Sequence, residues 1–277
     1  MKTWFITGIS RGLGKALAEA ALARGDTVIG TVRTGNPEIS QGKGTLHVLS
    51  LEMTDGAAVA AAVTQAFELG GGRVDVIVNN AGYGLLGAVE HATDEEVSRL
   101  LEVDVLGPFR VIRAALPQLR AQGSGHIVNI TSIAGRAAIA SAGLYSTAKY
   151  ALEGLSQSLA AELAPLGIKV TAVAPGAFRT DFLSAHSIRK SAATGDGYRE
   201  HVGQRIQATS QRDGLQPGDP ALAAAAILTL ADAEAPPVQL LLGSDALNRA
   251  RQRLAATNAE IDQWEEVTLS TDFPEGA

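Results

Sequence analysis

Three side chains that can take part in proton transfer stand out by their positions in the chain. Tyr145 and Lys149 are four residues apart at the start of a predicted helix, which places both on one face, one turn apart. Ser132 directly follows a predicted strand. Taken singly, each position is ordinary, because a tyrosine at a helix start usually packs and a lysine one turn later is usually solvated. The three form a candidate site only if the fold brings them together.

A glycine-rich turn near the N-terminus is a candidate phosphate-binding site. It reads TGISRGLG over residues 7–14, between a predicted strand and a predicted helix. Glycine permits the tight backbone that a turn needs beside a ligand. The free N–H groups and the positive dipole end of the following helix attract a pyrophosphate. A glycine-rich turn alone is a weak signal, but its place at the start of a βαβ unit predicts dinucleotide binding.

The residues after the second predicted strand indicate which dinucleotide binds. Dinucleotide folds usually have an acidic residue there that binds the ribose 2′-hydroxyl, whereas this chain has Arg33 followed by Thr34. The guanidinium of Arg33, joined by that of Arg11 in the turn, suits a 2′-phosphate. We therefore predict NADP(H) rather than NAD(H). The alternative is that both arginines are solvated loop residues.

The elements that must position these residues alternate between apolar runs and helical stretches. Predicted strands cover 3–7, 27–32, 46–51, 74–79, 126–131, 168–174 and 238–242. Predicted helices cover 12–24, 56–69, 94–122 with a break near 104–108, 146–164 and 219–233. This order predicts an α/β fold, a single doubly wound Rossmann-type domain over residues 1–277 with about seven parallel strands and helices on both faces. Ligands bind beyond the carboxyl ends of such strands, where the motifs above lie.

Two further segments do not follow this alternation. Residues 183–217 are polar, helix-weak and too long for an ordinary connection, so we expect a substrate lid, with a surface insertion as the alternative. Residues 244–266 predict an extra C-terminal helix that Ser244 would cap. Its apolar side chains recur every seven residues, at Leu247, Leu254 and Ile261. We expect this stripe to pack on its own domain rather than on a partner.

The composition excludes several classes of protein. The formal net charge of −6 gives no general attraction for nucleic acid. The absence of cysteine excludes disulfides, thiolate metal sites and a cysteine nucleophile. The histidines are scattered without H-E-x-x-H spacing and Ser132 lies outside a G-x-S-x-G elbow, so neither a metal site nor a serine hydrolase is predicted. With no signal peptide and no membrane-length apolar run, we expect a cytoplasmic protein with no membrane partner.

Five motifs in this order resemble those of the short-chain dehydrogenases/reductases. They are TGISRGLG (7–14), NNAG (79–82), Ser132 in NITSIAG, YSTAK (145–149) and PGAFRT (175–180). Together they extend across roughly residues 3–182. The resemblance implies an oxidoreductase that transfers a hydride between the nicotinamide of NADP(H) and a small-molecule carbonyl or secondary alcohol.

The resemblance also implies roles for individual residues. Tyr145 would be the acid in carbonyl reduction and the base in alcohol oxidation, its pKa lowered from about 10 by Lys149 and the positive nicotinamide. Ser132 would hydrogen-bond the substrate oxygen, and Lys149 would also hold the nicotinamide ribose. Asn79, Ala81 and Gly82 would form the wall beside the adenosine ribose, and Thr180 and the backbone near Phe178 would fix the carboxamide. The full predicted cofactor set is Gly8, Ser10, Arg11, Gly12, Leu13, Gly14, Arg33, Glu52, Met53, Asn79, Ala81, Gly82, Tyr145, Lys149, Pro175, Gly176, Phe178 and Thr180.

Two residues depart from the pattern of the family. Where the family usually has an asparagine that supports a proton relay, this chain has Asp104, in VDVLG. A carboxylate there would favour charged Lys149 but oppose the Tyr145 phenolate. We count Asp104 among the catalytic candidates and expect slower but real activity relative to an Asp104→Asn variant. Glu52 stands where the family commonly has aspartate beside the adenine, which is a conservative change.

The residues expected at the pocket mouth favour a hydrophobic ketone or secondary alcohol. They are Leu85, Leu86, Val89, Ala137, Ile139, Leu144, Phe178, Phe182 and Leu183. We expect a homodimer formed by the helices at about 104–121 and 146–164, with a tetramer as the alternative.

Two other functions compete with this prediction. A sugar-nucleotide epimerase or dehydratase uses a similar tyrosine and lysine pair, but such chains are usually longer and carry a second domain. A non-enzymatic NADP sensor on the same fold would need neither Tyr145 nor Lys149. Ketone reduction that disappears in Tyr145→Phe would separate an enzyme from a sensor.

Overall fold

Parallel strands form the central sheet of the protein. The computed structural model describes residues 1–40, 42–184, 187–191 and 196–273. In these ranges the strands are β1 (Thr3–Ile6), β2 (Thr27–Val32), β3 (Thr45–Ser50), β4 (Val76–Asn79), β5 (Gly84–Leu86), β6 (Gly125–Ile130), β7 (Ile168–Pro175), β8 (Ile188–Lys190) and β9 (Gln239–Leu242). Seven of them make one sheet in the order β3-β2-β1-β4-β6-β7-β9, and β5 pairs with β8. All the pairings in the large sheet are parallel, as predicted.

Helices cover both faces of this sheet. They are α1 (Gly12–Arg24), α2 (Gly56–Leu69), α3 (Asp94–Leu101), α4 (Gly107–Gln122), α5 (Gly143–Leu163), α6 (Gln204–Ser210), α7 (Pro220–Asp232) and α8 (Ser244–Leu269). The apolar faces of α1 and α7 pack on one side, and those of α2, α4 and α5 pack on the other. The doubly wound prediction is therefore confirmed. Within the described ranges, no helix has the length and apolar content needed to cross a bilayer.

The strand order places a switch point at β1. The chain runs outward from β1 to β2 and β3, and then returns across the sheet to pair β4 with the other edge of β1. The two crossovers that leave this point lie in opposite directions, which opens a crevice beyond the carboxyl ends of β1 and β4. β1 and β4 are short and apolar because a parallel strand that is buried on both faces needs no polar side.

The predicted break in the long helix is a π-helical segment, Glu102–Leu106, that joins α3 to α4. Such wide turns insert one extra residue and often occur at functional sites. Here the segment turns Asp104 into the protein, where it is completely buried. Pro108 then lies in the first turn of α4, and because it has no N–H it cannot continue the hydrogen bonding of the π-helical segment before it.

The segment expected to be a lid is more ordered than predicted. It contains β8, which pairs with β5, and the helix α6. The expectation that it is helix-weak is therefore wrong for Gln204–Ser210. Residues 185, 186 and 192–195 of the predicted lid lie outside the described residues.

The C-terminal helix differs from the prediction in two ways. Gly243 occupies the cap position with a φ of +97°, and no side chain caps the helix, so Ser244 does not have the predicted role. Only Ala246 of α8 is buried, and beyond Arg251 every side chain except the half-buried Thr257 is exposed. The expectation that the apolar stripe packs on its own domain is wrong, because the helix leaves the domain surface after its first two turns.

Candidate active site

A cavity of about 490 Å³ lies at the switch point of the sheet. It is lined by loops that follow β1, β2, β3, β4, β6 and β7, which is where the sequence predicted the site. Most of the predicted site residues border it. These are Gly8, Ser10, Arg11, Gly12, Leu13, Arg33, Glu52, Met53, Ala81, Gly82, Ser132, Tyr145, Lys149, Pro175, Gly176, Phe178 and Thr180. Gly14, Asn79 and Asp104 lie behind its wall.

The glycine turn has the backbone that a phosphate cradle needs. Gly8 and Gly12 have φ angles of +74° and +61°, which side-chain-bearing residues rarely adopt. Arg11 is the cap residue of α1, and its side chain makes no capping hydrogen bond. The leading N–H groups of the helix are therefore available to an anion in the cavity.

Gly14 serves packing rather than direct contact. A Cβ at this position would lie 2.3 Å from the Gly8 carbonyl oxygen and 2.3 Å from Nδ2 of Asn80. Both neighbours belong to the wall of the turn, so the absence of a side chain lets α1 approach it. The glycine holds the helix N-terminus where the phosphate is expected.

The side chain of Asn79 does not have the predicted position, and that of the adjacent Asn80 borders the cavity instead. Asn79 was expected beside the adenosine ribose, but its side chain is buried and donates to Asn129 Oδ1 at 2.8 Å. Asn80 borders the cavity instead, and its Nδ2 donates to the carbonyl oxygens of Thr7 and Gly8 at 2.9 and 2.8 Å. Asn80 therefore braces the glycine turn, because β4 ends at Asn79 with that side chain turned inward.

The far end of the cavity combines positive and negative side chains. Arg33 and Thr34 border it directly after β2. Glu52 approaches Arg99, with 3.8 Å between carboxylate and guanidinium. Arg99 also borders the cavity, and its position on α3 gave no signal in the sequence.

Arg11 connects the glycine turn to the segment before β8. Its Nε donates to the hydroxyl of Ser187 at 3.0 Å. Both residues border the cavity, so the hydrogen bond spans from the phosphate end to the predicted substrate side.

Tyr145, Ser132 and Lys149 converge at the other end of the cavity. The hydroxyl of Ser132 lies close enough to the phenol of Tyr145 to lower its pKa. The Lys149 ammonium lies 5.6 Å from the centroid of the Tyr145 ring. Ser132 Oγ accepts the backbone N–H of Ala134 at 3.1 Å, which leaves the serine hydrogen free to point elsewhere. The geometry suits proton transfer to an oxygen held between the two hydroxyls.

The environment of Tyr145 opposes its ionisation in the free protein. Burial raises the pKa of Tyr145, and it outweighs the positive charge of Lys149, which lowers that pKa. Asp104 raises the pKa further, while the hydrogen bond with Ser132 lowers it. The expectation of a lowered pKa included the positive nicotinamide and stays a prediction; in the protein alone the pKa is raised, because desolvation of the phenol is the largest contribution.

Asp104 holds Lys149 from behind. Its Oδ2 lies 3.1 Å from Lys149 Nζ, which also donates to the carbonyl of Ile130 at 3.2 Å. The other carboxylate oxygen accepts the backbone N–H of Tyr83 at 3.1 Å. Burial alone would lower the pKa of Lys149, but the Asp104 carboxylate reverses this and raises it. Asp104 does not border the cavity, and its contact with Lys149 makes it a candidate positioning residue.

The substrate side is apolar, although several of its predicted members lie elsewhere. Tyr83, Phe178, Phe182 and Leu183 border the cavity. Leu85, Leu86 and Ala137 are buried in core clusters, and Leu144 packs on one of them. Val89 and Ile139 are exposed on the surface. The strand pairing of β5 explains the difference, because it turns the 84–86 segment into the core.

Two further polar residues, Arg189 and Gln216, border the cavity on this side. The Arg189 guanidinium lies over the Tyr83 ring, 5.1 Å from its centroid. Gln216 is buried and borders the cavity, and neither its amide nitrogen nor its amide oxygen has a hydrogen-bond partner among the described residues. A buried amide without partners is costly unless a ligand completes it. Its position in an irregular polar loop gave no signal in the sequence.

Comparison with known proteins identifies relatives along the whole chain. The family profile described as short chain dehydrogenase matches residues 2–190. Oxidoreductase BOA17 of Botryotinia fuckeliana is 37% identical over 98% of this chain and 99% of its own. The 3-ketodihydrosphingosine reductase of Bacteroides thetaiotaomicron is 37% identical over 76% of this chain and 78% of its own.

Solved structures show the same architecture. A short-chain dehydrogenase from Streptomyces avermitilis is 43% identical, with a TM-score of 0.88 over 98% of this chain and 99% of that one. The protein ElxO, solved with NADP bound, is 27% identical, with a TM-score of 0.73 over 90% of this chain and 100% of that one.

Proposed function

Because the chain belongs to the short-chain dehydrogenase/reductase family of oxidoreductases, we propose that it reduces hydrophobic ketones, or oxidises the matching secondary alcohols, with NADP(H). The observation that carries the proposal is that Ser132, Tyr145 and Lys149 border the same cavity as the glycine turn. A proton donor and a second hydroxyl are therefore available at the wall of a cavity that also offers a phosphate site.

The residues around the cavity fit a dinucleotide. The positive φ angles of Gly8 and Gly12 and the uncapped start of α1 suit a pyrophosphate. Lys149 would hold the nicotinamide ribose, and Thr180 would fix the carboxamide. When bound, the nucleotide supplies or accepts the hydride.

The preference for NADP(H) rests on the residues after β2. Arg33 borders the cavity there, and no carboxylate occupies the position that would repel a 2′-phosphate. The nearest acid along this edge, Glu52, faces the Arg99 guanidinium. The balance of charge at this end therefore favours a phosphorylated ribose. The similarity to ElxO, which was solved with NADP, supports the same preference.

The protein's own groups perform the proton transfer. In carbonyl reduction the Tyr145 phenol gives its proton to the substrate oxygen as negative charge develops there. Ser132 donates its hydroxyl hydrogen to the same oxygen, since its Oγ already accepts from Ala134. The charge of Lys149 lowers the pKa of Tyr145 against the effect of burial, which eases loss of the proton.

The lining of the cavity supports a hydrophobic substrate. Phe182 and Leu183 pack beside Tyr145, and Tyr83 and Phe178 also border the cavity. Apolar walls with few polar groups bind a substrate by its hydrocarbon part and orient it through one polar end. The similarity to a 3-ketodihydrosphingosine reductase favours a ketone with an extended apolar chain.

The test is a spectrophotometric screen of NADPH consumption over ketones of graded size, with NADH in parallel. We expect turnover of apolar ketones, a preference for NADPH, and loss of turnover in Tyr145→Phe. Tyr150→Phe is the matched control, because Tyr150 is on the same helix but exposed. Nucleotide binding without turnover of any ketone would instead indicate an NADP sensor. The Asp104 carboxylate is the feature that favours a sensor, because it raises the pKa of Tyr145 and so opposes the ionisation that catalysis needs.

The cofactor preference is tested separately with Arg33→Ser. We expect kcat/KM to fall with NADPH and to change little with NADH, because only the former carries a phosphate for the guanidinium. Arg120→Ser, which removes an exposed arginine outside the cavity, controls for loss of charge. An equal fall with both cofactors would contradict the role of Arg33.

A further inference from the structure

The helix α8 carries an apolar face that nothing in the described part of the chain covers. Leu254, Ile261 and Trp264 are 63%, 61% and 59% exposed. They belong to two series with a seven-residue repeat, which together form one stripe along the helix. The series are Leu247, Leu254 and Ile261, and Ala250, Thr257 and Trp264.

A projecting helix of this kind needs a partner for its stability. The helix has 26 residues, or a length of about 39 Å. Only its first turns touch the domain, where Ala246 packs with Ile133 and Ala137. Helical segments in water gain most of their stability from packing an apolar face rather than from intrinsic propensity. The stripe is therefore the face on which packing is expected.

The charges of α8 are divided between its two halves. The first half carries Arg249, Arg251 and Arg253, besides Asp245, whose carboxylate accepts the backbone N–H of Ala177 in the domain, and the second half carries Glu260, Asp262, Glu265 and Glu266. Arg253 and Glu260 flank the stripe on the same side, and their side chains approach to 3.4 Å within the helix. A helix with one basic and one acidic half is complementary to its own copy only when the copy runs in the opposite direction.

We propose that this stripe binds the same stripe of a second copy of the chain, with the two helices antiparallel. A two-fold axis near the middle of the stripe brings Leu254 of one copy opposite Thr257 of the other. Leu247 then faces Trp264 of the second copy, and the small side chain of Ala250 faces the larger Ile261. Arg253 of each copy lies beside Glu260 of the other.

The same charges argue against a membrane surface as the occupant. Amphipathic helices that lie on membranes carry lysine and arginine along the polar face, next to the apolar side chains. Here the residues beside Ile261 and Trp264 are acidic, and anionic lipid would repel them. This surface is also distinct from α4 and α5, the helices from which the sequence predicts a dimer, so the two contacts would be independent.

The first test compares the mass of full-length variants by sedimentation equilibrium. Leu254→Glu with Ile261→Glu places two charges in the stripe. We expect the molar mass to fall to half that of the parent, because the contact between the two copies of α8 is lost. Gln252→Glu with Ala259→Glu places two charges on the opposite, exposed face of α8 and should keep the parent mass. Unchanged mass in the stripe variant, or equal dissociation in the control, would overturn the proposal.

A second test uses the absence of cysteine from the chain, so that single cysteines can report the geometry with little disturbance. For antiparallel helices in this register, Leu254→Cys should cross-link to an equimolar Thr257→Cys variant. Leu247→Cys should not form a disulfide with its own copy, but should cross-link to an equimolar Trp264→Cys variant. Self-cross-linking of Leu247→Cys, or the absence of a cross-link between Leu254→Cys and Thr257→Cys, would refute the arrangement. Neither readout depends on turnover, so failure here and failure of the proposed reaction are distinguishable.

Discussion

The Lys149 ammonium lies 3.1 Å from the Asp104 carboxylate, and both groups are buried. The Asp104 carboxylate favours the charged form of Lys149 and opposes the charged form of Tyr145. It raises the pKa of Lys149 and so keeps the positive charge in place, while the negative charge of Asp104 raises the pKa of Tyr145. The structure thus combines a firmly held lysine with a phenol that ionises less readily.

This opposition predicts the effect of Asp104→Asn. Alcohol oxidation needs the phenolate, so its rate rises with pH through the pKa of Tyr145. Removal of the carboxylate lowers that pKa, so the rising limb of the profile should move to lower pH. Activity at neutral pH should increase about tenfold for every pH unit by which the limb moves. The measurement is kcat/KM for a secondary alcohol across pH.

The control for this variant is Asp94→Asn, which removes an exposed carboxylate from the first turn of α3. It should leave the pH profile where it is. If Asp104→Asn were slower than the parent, or if its profile did not move, the account of the ion pair would be wrong.

The close contact at Gly14 predicts a large effect of a single methyl group. In Gly14→Ala the new Cβ meets the Gly8 carbonyl oxygen at 2.3 Å, so α1 must shift away from the turn. We expect a loss of about 1–3 kcal/mol in the free energy of unfolding, together with weaker nucleotide binding. Urea denaturation and a nucleotide titration measure the two effects.

Gly154→Ala is the matched control for this contact. Gly154 is in the interior of α5, and a Cβ there meets nothing within 4 Å. The change should raise the free energy of unfolding by about 0.5–1 kcal/mol, because alanine is the better helix former. If Gly14→Ala and Gly154→Ala changed the free energy of unfolding alike, the close contact at Gly14 would have no effect on stability.

His126 predicts a loss of stability in acid. Its Nε2 lies 3.0 Å from Thr171 Oγ1, whose own hydrogen is donated to the carbonyl of Pro237 at 2.7 Å. The ring therefore donates from Nε2. Its Nδ1 is buried without a partner among the described residues. Burial, with smaller contributions from Lys169 and Lys2, lowers the pKa of His126 to about 4.

The sign of the pH dependence follows from this depressed value. The unfolded chain takes up the proton near pH 6.5 and the folded protein only near pH 4, so stability is complete above the first value and is lost as the pH falls to the second. The total loss is about 3 kcal/mol. Urea unfolding between pH 7.5 and pH 4 should show this slope in the parent and in His201→Gln, which changes an exposed histidine, but not in His126→Gln. A slope that persists in His126→Gln would refute the assignment.

The partnerless amide of Gln216 predicts a conflict between stability and binding. Gln216→Met keeps the volume but removes two buried polar atoms without partners, so the free protein should gain about 1 kcal/mol. Ligand affinity should fall, because the cavity loses its buried amide. Thermal unfolding with and without NADP(H) and a ketone measures both, with Gln211→Met, on the exposed part of the same segment, as control. Lower stability with unchanged binding would contradict the proposed role.

The fold could be predicted because its signals are local. Buried strands of four to eight residues alternate with alanine-rich helices, and a parallel sheet is the arrangement that satisfies this pattern. The site could be anticipated to the extent that its residues follow strands, since the carboxyl ends of parallel strands share one edge. Tyr145 and Lys149 share a face because helical spacing requires it.

The remaining features depend on contacts that the local pattern does not contain. Which of Asn79 and Asn80 turns toward the cavity is decided by the pairing of Asn79 with Asn129 across two strands. Gln216 reaches the site from an irregular loop. The apolar stripe of α8 indicates that a face must be covered, but not whether the cover belongs to the same chain.

The hydrogen bond from Arg11 to Ser187 has a consequence for the timing of the reaction. The guanidinium of Arg11 has five N–H donors, and its Nε–H is given to Ser187. We propose that a phosphate in the glycine turn draws the whole guanidinium away from Ser187 and so frees that side chain on the side where the ketone is expected to enter. We expect a compulsory order of addition, nucleotide before ketone, and initial-rate kinetics that fit random addition would show that this hydrogen bond has no such effect.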